Sequence, residues 1–319
     1  MQIRDGFLYL PDAALEDMQI PPSEIADAIE DALCAKAGNR LHVAPKSALL
    51  PGEGRYMMAT LAVGDDGLTV VKQVSVSPGN PDRGLPAING AIMVLDAETG
   101  LLCAVLGANW ITAHRTAALS AVAARRLADP AAETVAFVGC GVQAQSHLLA
   151  FRDMFPLKRI FAVGRGQAGI DALCAFATER GLEASAAPPE QALRDADIVV
   201  TSVTLDYTIE PFLDAGWLKL GAFAAITDLC IPWRPDGMAA FGTVIVDDTE
   251  QERASEKPML PADRFAGDLT DLVMGKVSDR DPTKPAAFAF RGIALGDYAA
   301  AALVLRKAEA TGAGQRIVP

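Results

Sequence analysis

The sequence predicts an α/β protein, a doubly wound parallel sheet joined to an α+β domain. Three observations carry that expectation. From Thr134 onward short apolar strands alternate with helical stretches. Before that point strand-like runs follow one another with turn residues between them. The chain also has 319 residues, and single cores stop growing at roughly 250–300 residues, which favours two domains.

In the first part, the stretch opening at Pro22 places apolar residues at helical spacing behind a Pro/Ser start, predicting a helix from about Ser23 to Lys36. Tyr56 to Val63, Leu68 to Val76 and Ala91 to Asp96 are short, β-rich and bounded by Gly, Asp or Pro. Asp96 to Gly100 has the composition of a hairpin turn before Leu101 to Leu106. The Ala-rich segment Thr112 to Leu127, with Arg115, Arg125 and Arg126, predicts one long helix crossing between the domains.

The second part begins with a buried strand at Thr134 to Val138, a helix at Val142 to Met154, a strand at Arg159 to Val163 and a helix at Gln167 to Arg180. Further strands fit Ala184 to Ala187, Ile198 to Val203, Ala222 to Thr227 and Thr243 to Asp247, giving about six parallel strands. After Arg291 a terminal helix is expected to pack back onto the first domain.

Composition narrows the function. A formal charge of -12 repels polyanions, which argues against nucleic acid and anionic membrane as partners. No apolar run is long enough to span a bilayer, and the N-terminal stretch lacks the sections of a secretory signal, so a cytoplasmic protein is expected. Cys34, Cys103, Cys140, Cys174 and Cys230 are scattered, and His42, His114 and His147 do not cluster with them. No metal site is expected.

The strongest motif is Gly139-Cys140-Gly141-Val142-Gln143-Ala144, set between an apolar strand and a helix. That context turns a weak G-x-G-x-x-A pattern into a Rossmann-type dinucleotide loop. Gly139 permits the tight turn, Gly141 lets a pyrophosphate approach the backbone, and Ala144 lets the helix pack on the strand. The helix start at Val142 and Gln143 then offers free N–H groups. The second strand ends Val163-Gly164-Arg165-Gly166 without the carboxylate that would hold both ribose hydroxyls. Arg165 therefore favours NADP(H), with NAD(H) left open.

Lys72 on a strand, Gly84-Leu85-Pro86, Leu95 to Gly100, Trp110 to Ala118, Val138 to Ala144 and Gly292 to Asp297 resemble, in this order, the ornithine cyclodeaminase and mu-crystallin family. The resemblance runs over nearly the whole chain. It implies a homodimer whose substrate domains pair, a nicotinamide dinucleotide on the Rossmann domain, and a small imino or amino acid substrate. On that basis residues 1–116 with 298–319 are expected to bind substrate and dimerise, and residues 117–297 to bind NAD(P).

Lys72 and Arg115 fall at the family's substrate-carboxylate positions. Both interrupt apolar stretches, as cations meant for a bound anion would. Lys46 stands where the family often has arginine, replacing a bidentate fork with a point charge. Asp228 matches the family's acid/base aspartate and follows a strand at its carboxyl end, where open α/β sheets bind ligands. Lys72 joins it as a catalytic candidate. Thr201 and Arg115 complete the cofactor set with Gly139, Gly141, Val142, Gln143 and Arg165.

The chain departs from the family after Asp228, reading Leu229 to Asp236 where a Pro-Gly-Lys run is frequent, and Arg234 could stand in for that lysine. Ala286 to Gly292 also lacks a frequent Lys-Ser pair. The reading that results is an imine reductase, or amino-acid dehydrogenase in reverse, acting on iminosuccinate, iminopropionate or a cyclic ketimine. His114, Arg55 and Arg291 are candidate cations for a second carboxylate. Ornithine cyclodeaminase and a non-catalytic NADPH-binding protein are the alternatives.

Overall fold

A computed structural model describes residues 6–278 and 280–318. Two compact units result, one comprising Met1–Arg115 with Gly292–Pro319 and the other Thr116–Arg291. Gly292 to Asp297 thus group with the first unit, whereas the sequence reading ended the second domain at 297. The reason is physical: Asp297 is buried against Lys72 and Arg115 of the first unit.

The first unit opens with β1 (Phe7–Leu10), α1 (Asp12–Asp17), α2 (Pro22–Ala37), β2 (Leu41–Val43) and β3 (Ser47–Gly52). It continues through β4 (Arg55–Gly64), β5 (Leu68–Val76), β6 (Ile88–Asp96), β7 (Leu102–Gly107) and the start of α3 (Ala108–Leu127). Helix α2 starts on Pro22, whose missing N–H costs nothing at a first turn, and buries Ile25, Ala26, Ile29, Ala32 and Leu33 on one face. Helix α3 begins four residues before the expected Thr112, directly off β7.

The second unit holds β8 (Thr134–Val138), α4 (Val142–Arg152), β9 (Arg159–Val163), α5 (Gln167–Thr178), β10 (Glu183–Ala186), α6 (Pro189–Asp195) and β11 (Ile198–Thr201). It is completed by β12 (Phe223–Ile226), β13 (Thr243–Val246), α7 (Thr249–Arg253), β14 (Gly267–Asp268), α8 (Leu269–Val273) and β15 (Ala286–Ala289). The chain then returns to the first unit through α9 (Ala294–Thr311) and β16 (Gln315–Ile317).

In the first unit the sheet runs β16-β1-β7-β6-β5-β4-β2, with β3 also paired to β4. Its central strands are antiparallel, so alternate residues face opposite sides. Thr60, Lys72, Ile92 and Leu106 lie directly across from one another on one side. Helix α9 packs on β4 and β5 and against α2.

The second unit's sheet runs β10-β9-β8-β11-β12-β15-β13-β14, and every pairing is parallel. The expected six strands become eight. Strand β15 inserts between β12 and β13, and β14 adds an edge. Ala286 to Ala289 is three alanines and Phe288, short and without β-branching, and its burial between two strands makes it a strand. Strand order reverses between β8 and β11, and the crevice at such a switch point is where α/β sheets take ligands.

Candidate active site

In the first unit, β5 carries Lys72 into the core, where its side chain is 0 % exposed. Its Nζ donates to Asp297 Oδ1 at 2.6 Å, and Arg115 Nε lies 3.0 Å from the same oxygen. Thr60 on β4 donates its hydroxyl to Asp297 Oδ2 at 2.9 Å. One carboxylate therefore gathers two cations and a hydroxyl. Burial pushes Lys72 down to about 7, Arg115 and Lys46 lower it further, and Asp297 opposes the shift. Burial alone would raise Asp297, but Arg115 and Lys72 outweigh it and hold the carboxyl below its ordinary value.

Lys46 belongs to the same neighbourhood, since its charge bears on Lys72, and its Nζ lies 5.6 Å from the centre of the Tyr56 ring. With both cations protonated, the Lys72–Arg115–Asp297 group carries one surplus positive charge. A cluster of that kind is suited to a substrate carboxylate. Sequence reasoning quoted Asp297 within a motif but gave it no role. The usable signal was a single acid in the otherwise small and apolar start of α9.

In the second unit, β8 runs into the glycine loop. Gly139 has φ +102, and a Cβ there would meet Ser202 O at 2.5 Å. Gly141 starts α4 with no side chain capping it, and a Cβ there would meet nothing within 4 Å. Ala144 is fully buried, as close helix–strand packing requires. Gln143 Oε1 and Ser202 Oγ are buried side-chain atoms without a hydrogen-bond partner among the described residues. Open space at Gly141, an uncapped helix start and the unused Ser202 hydroxyl, which can donate, fit a bound pyrophosphate.

Arg165 follows β9 on the surface, and its charge helps hold Asp206 below the usual carboxylate range, after the hydrogen bonds from Thr208. The sequence reading found no carboxylate here, because Asp206 sits 41 positions away along the chain. His147 is a core residue: Nδ1 faces Gln143 O at 2.7 Å, Nε2 faces Ser120 Oγ at 2.9 Å, and burial pushes it down to about 4.

Asp228 lies just past β12 and is fully buried. Thr201 Oγ1 donates to its Oδ1 at 3.0 Å and Val203 N to its Oδ2 at 3.0 Å. Trp233 Nε1 in turn donates to Thr201 Oγ1 at 3.3 Å. Burial pushes Asp228 up to about 7 even against those donors. The next two residues, Leu229 and Cys230, adopt φ of 58° and 59°, a left-handed pair costing about 1–2 kcal/mol each. Strain of this sort collects where a loop has a task.

The structure thus joins Lys72, Arg115 and Lys46 in one unit, and Asp228 with Thr201 in the other. The Thr201 hydroxyl, expected to serve the cofactor, is committed to Asp228 and Trp233. Of the cations considered for a second carboxylate, Arg291 pairs with Glu252 at 2.7 Å and Arg55 donates to Gly52 O and Pro51 O. His114 stacks on Trp110, and burial lowers its pKa. Arg234 lies 3.9 Å from Asp214.

The parallel sheet, its order and its glycine loop define the class, an NAD(P)-dependent oxidoreductase of Rossmann type. The ornithine cyclodeaminase/mu-crystallin family model matches residues 15–312, and the chain belongs to that family. It is 27 % identical over 311 residues to alanine dehydrogenase of Archaeoglobus fulgidus, covering 93 % of this chain and 94 % of that one. It is 29 % identical over 253 residues to ketimine reductase mu-crystallin of Mus musculus, covering 78 % of each. An archaeal alanine dehydrogenase dimer with bound NAD superimposes with a TM-score of 0.86 at 26 % identity, over 98 % of both chains. The Thermococcus litoralis pyrroline-2-carboxylate reductase, solved with NADH and L-proline, matches in fold with a TM-score of 0.89 at 21 % identity, over 98 % of this chain and 100 % of that one.

Proposed function

We propose that the protein is an NAD(P)H-dependent imine reductase, which converts a small 2-imino acid to the amino acid and runs as a dehydrogenase in reverse. The observation that carries this reading is Asp228, a buried carboxyl whose pKa near 7 lets it hold or release a proton at neutral pH. Reduction of a C=N bond needs a hydride at carbon and a proton at nitrogen. When bound, the reduced nicotinamide supplies the hydride. Asp228 holds the proton that passes to nitrogen, and Lys72 and Arg115, with Lys46 beside them, hold the carboxylate. Gly139, Gly141, Val142 and Gln143 receive the pyrophosphate.

The relatives named alanine dehydrogenase and ketimine reductase act at the same kind of carbon, which supports this chemistry. The test is oxidation of NADH or NADPH with pyruvate plus ammonia, a cyclic ketimine, and oxaloacetate plus ammonia. Proline and ammonia formed from ornithine without net cofactor change would instead make it a cyclodeaminase. Silence in every assay would leave a binding protein.

Arg165 sets a preference for NADPH, and Asp206 tempers it. Asp206→Asn then raises the NADPH/NADH ratio of kcat/KM by up to about fivefold, the worth of an exposed charge pair. Arg165→Ala lowers it.

The working unit is a homodimer formed through the first unit's sheet. Leu61, Val71, Met93, Val105 and Tyr9 lie side by side across β4, β5, β6, β7 and β1, on the side opposite Lys72. Leu61, Met93 and Tyr9 are 41 %, 43 % and 40 % exposed. An apolar row on a sheet face suits a second copy of the same face, and the archaeal alanine dehydrogenase neighbour is a dimer.

A further inference from the structure

We propose that Trp233 is a positioning residue for Asp228, acting through the hydroxyl of Thr201. This rests on the reading of Asp228 as the proton carrier. An indole N–H can only donate. At 3.3 Å from Thr201 Oγ1, Trp233 Nε1 occupies one acceptor position of that hydroxyl. The hydroxyl hydrogen must then point elsewhere, and Asp228 Oδ1 at 3.0 Å is its acceptor. A threonine rotor that could turn among several partners is held on one.

Trp233 is itself held. Its side chain is buried and its ring lies 5.6 Å from that of Phe241. Its backbone bridges Leu213, and its N–H donates to Cys230 O at 3.1 Å. The left-handed pair Leu229 and Cys230 turns the chain so that Asp228 and Trp233, five positions apart, approach Thr201 together. Trp233 lies in the Leu229 to Asp236 stretch, which departs from the Pro-Gly-Lys run frequent in the family.

The chemical consequence concerns the proton. Donors aimed at a carboxylate favour its charged form and offset burial, which favours the neutral form. The backbone N–H of Asp228 itself acts in this way, and two further donors reach the carboxyl, the Thr201 hydroxyl and the Val203 N–H. With both in place the carboxyl can give up its proton and regain it at each turnover. The other titratable groups nearby are the Cys230 thiol on the same turn and, beyond it, Glu252 of α7 paired with Arg291.

The test reads protonation of Asp228 directly. The carboxyl C=O band of the full chain is followed against pH by infrared difference spectroscopy, with Asp228→Asn as the blank. Thr201→Val should raise the midpoint by about one pH unit, the worth of one hydrogen bond to a charged group, and Trp233→Phe should raise it in the same direction by part of that. Thr201→Ser should keep the wild-type midpoint. The double variant should match Thr201→Val alone, because both changes act through one hydroxyl. Replacing Trp233 by its benzothiophene analogue removes only the N–H and serves if Trp233→Phe folds poorly.

In an active enzyme the alkaline limb of kcat/KM should move up with the midpoint, with KM for the dinucleotide unchanged. An unshifted midpoint in both Trp233 replacements, or additive shifts in the double variant, overturns the proposal. If no imine is reduced by the wild type yet the midpoints move as stated, the reductase reading fails and the role of Trp233 stands.

Discussion

Lys72 Nζ and Asp297 Oδ1 meet at 2.6 Å in the interior of the first unit, 225 positions apart in the chain. The two partners do not contribute alike. Asp297 neutralises two cations, whereas Lys72 sits near its own point of deprotonation. Asp297→Asn should therefore cost about 3–5 kcal/mol in urea denaturation, as for removal of one side of a buried pair. Lys72→Met should cost little. Equal losses in the two variants would contradict this account.

The same lysine predicts a pH dependence. Its folded pKa of about 7 lies below the ordinary 10.5, so between those values the unfolded chain binds the proton more tightly. Stability from this group rises with pH across that window, and Lys72→Met removes the slope. Substrate binding runs the other way, since only protonated Lys72 attracts a carboxylate. KM should climb above pH 7, and Lys72→Met should raise it about 10–100-fold at pH 6.5.

For Asp228 the folded pKa is raised, from 3.8 to about 7. The native state therefore binds the proton more tightly between those values, and stability falls as pH rises through them. Asp228→Asn should be more stable than the wild type at pH 8, by on the order of 2–4 kcal/mol, and gain little at pH 4. Its turnover should fall about 10²–10⁴-fold. Thermal unfolding at the two pH values, beside kcat, separates the structural cost from the chemical role.

The two loop glycines should fail differently. Gly139→Ala forces a Cβ against Ser202 O at a positive φ, for about 2–4 kcal/mol of lost stability. Gly141→Val meets open space, so the melting temperature should hold. Dinucleotide affinity should drop about tenfold or more, the worth of a lost charge-assisted hydrogen bond. Calorimetric titration of both variants decides it.

Val71→Glu or Met93→Glu would place like charges against each other in a two-fold interface. Light scattering at micromolar concentration should give the monomer mass for these variants and the dimer mass for the wild type. An unchanged mass would move the interface to another face.

Much of this was legible in local pattern. The glycine loop announced itself by its place between strand and helix, Lys72 by a charge interrupting an apolar strand, and Asp228 by its place past a strand's carboxyl end together with the family resemblance. Val142 to Arg152 and Arg159 to Val163 follow the periodicity closely. Strand β15 was missed because Ala286 to Ala289 has no β-branched residue and owes its form to the strands on either side.

What the sequence determined by itself was the set of local conformations and the residue types available for chemistry, because turns, helix starts and alternation depend on neighbours in the chain. What only the tertiary structure decided was which of those groups share a partner. Asp297 joining Lys72 to Arg115, and Trp233 reaching Asp228 through Thr201, come from long-range packing, in which burial makes each unpaired polar group costly and so selects its partner.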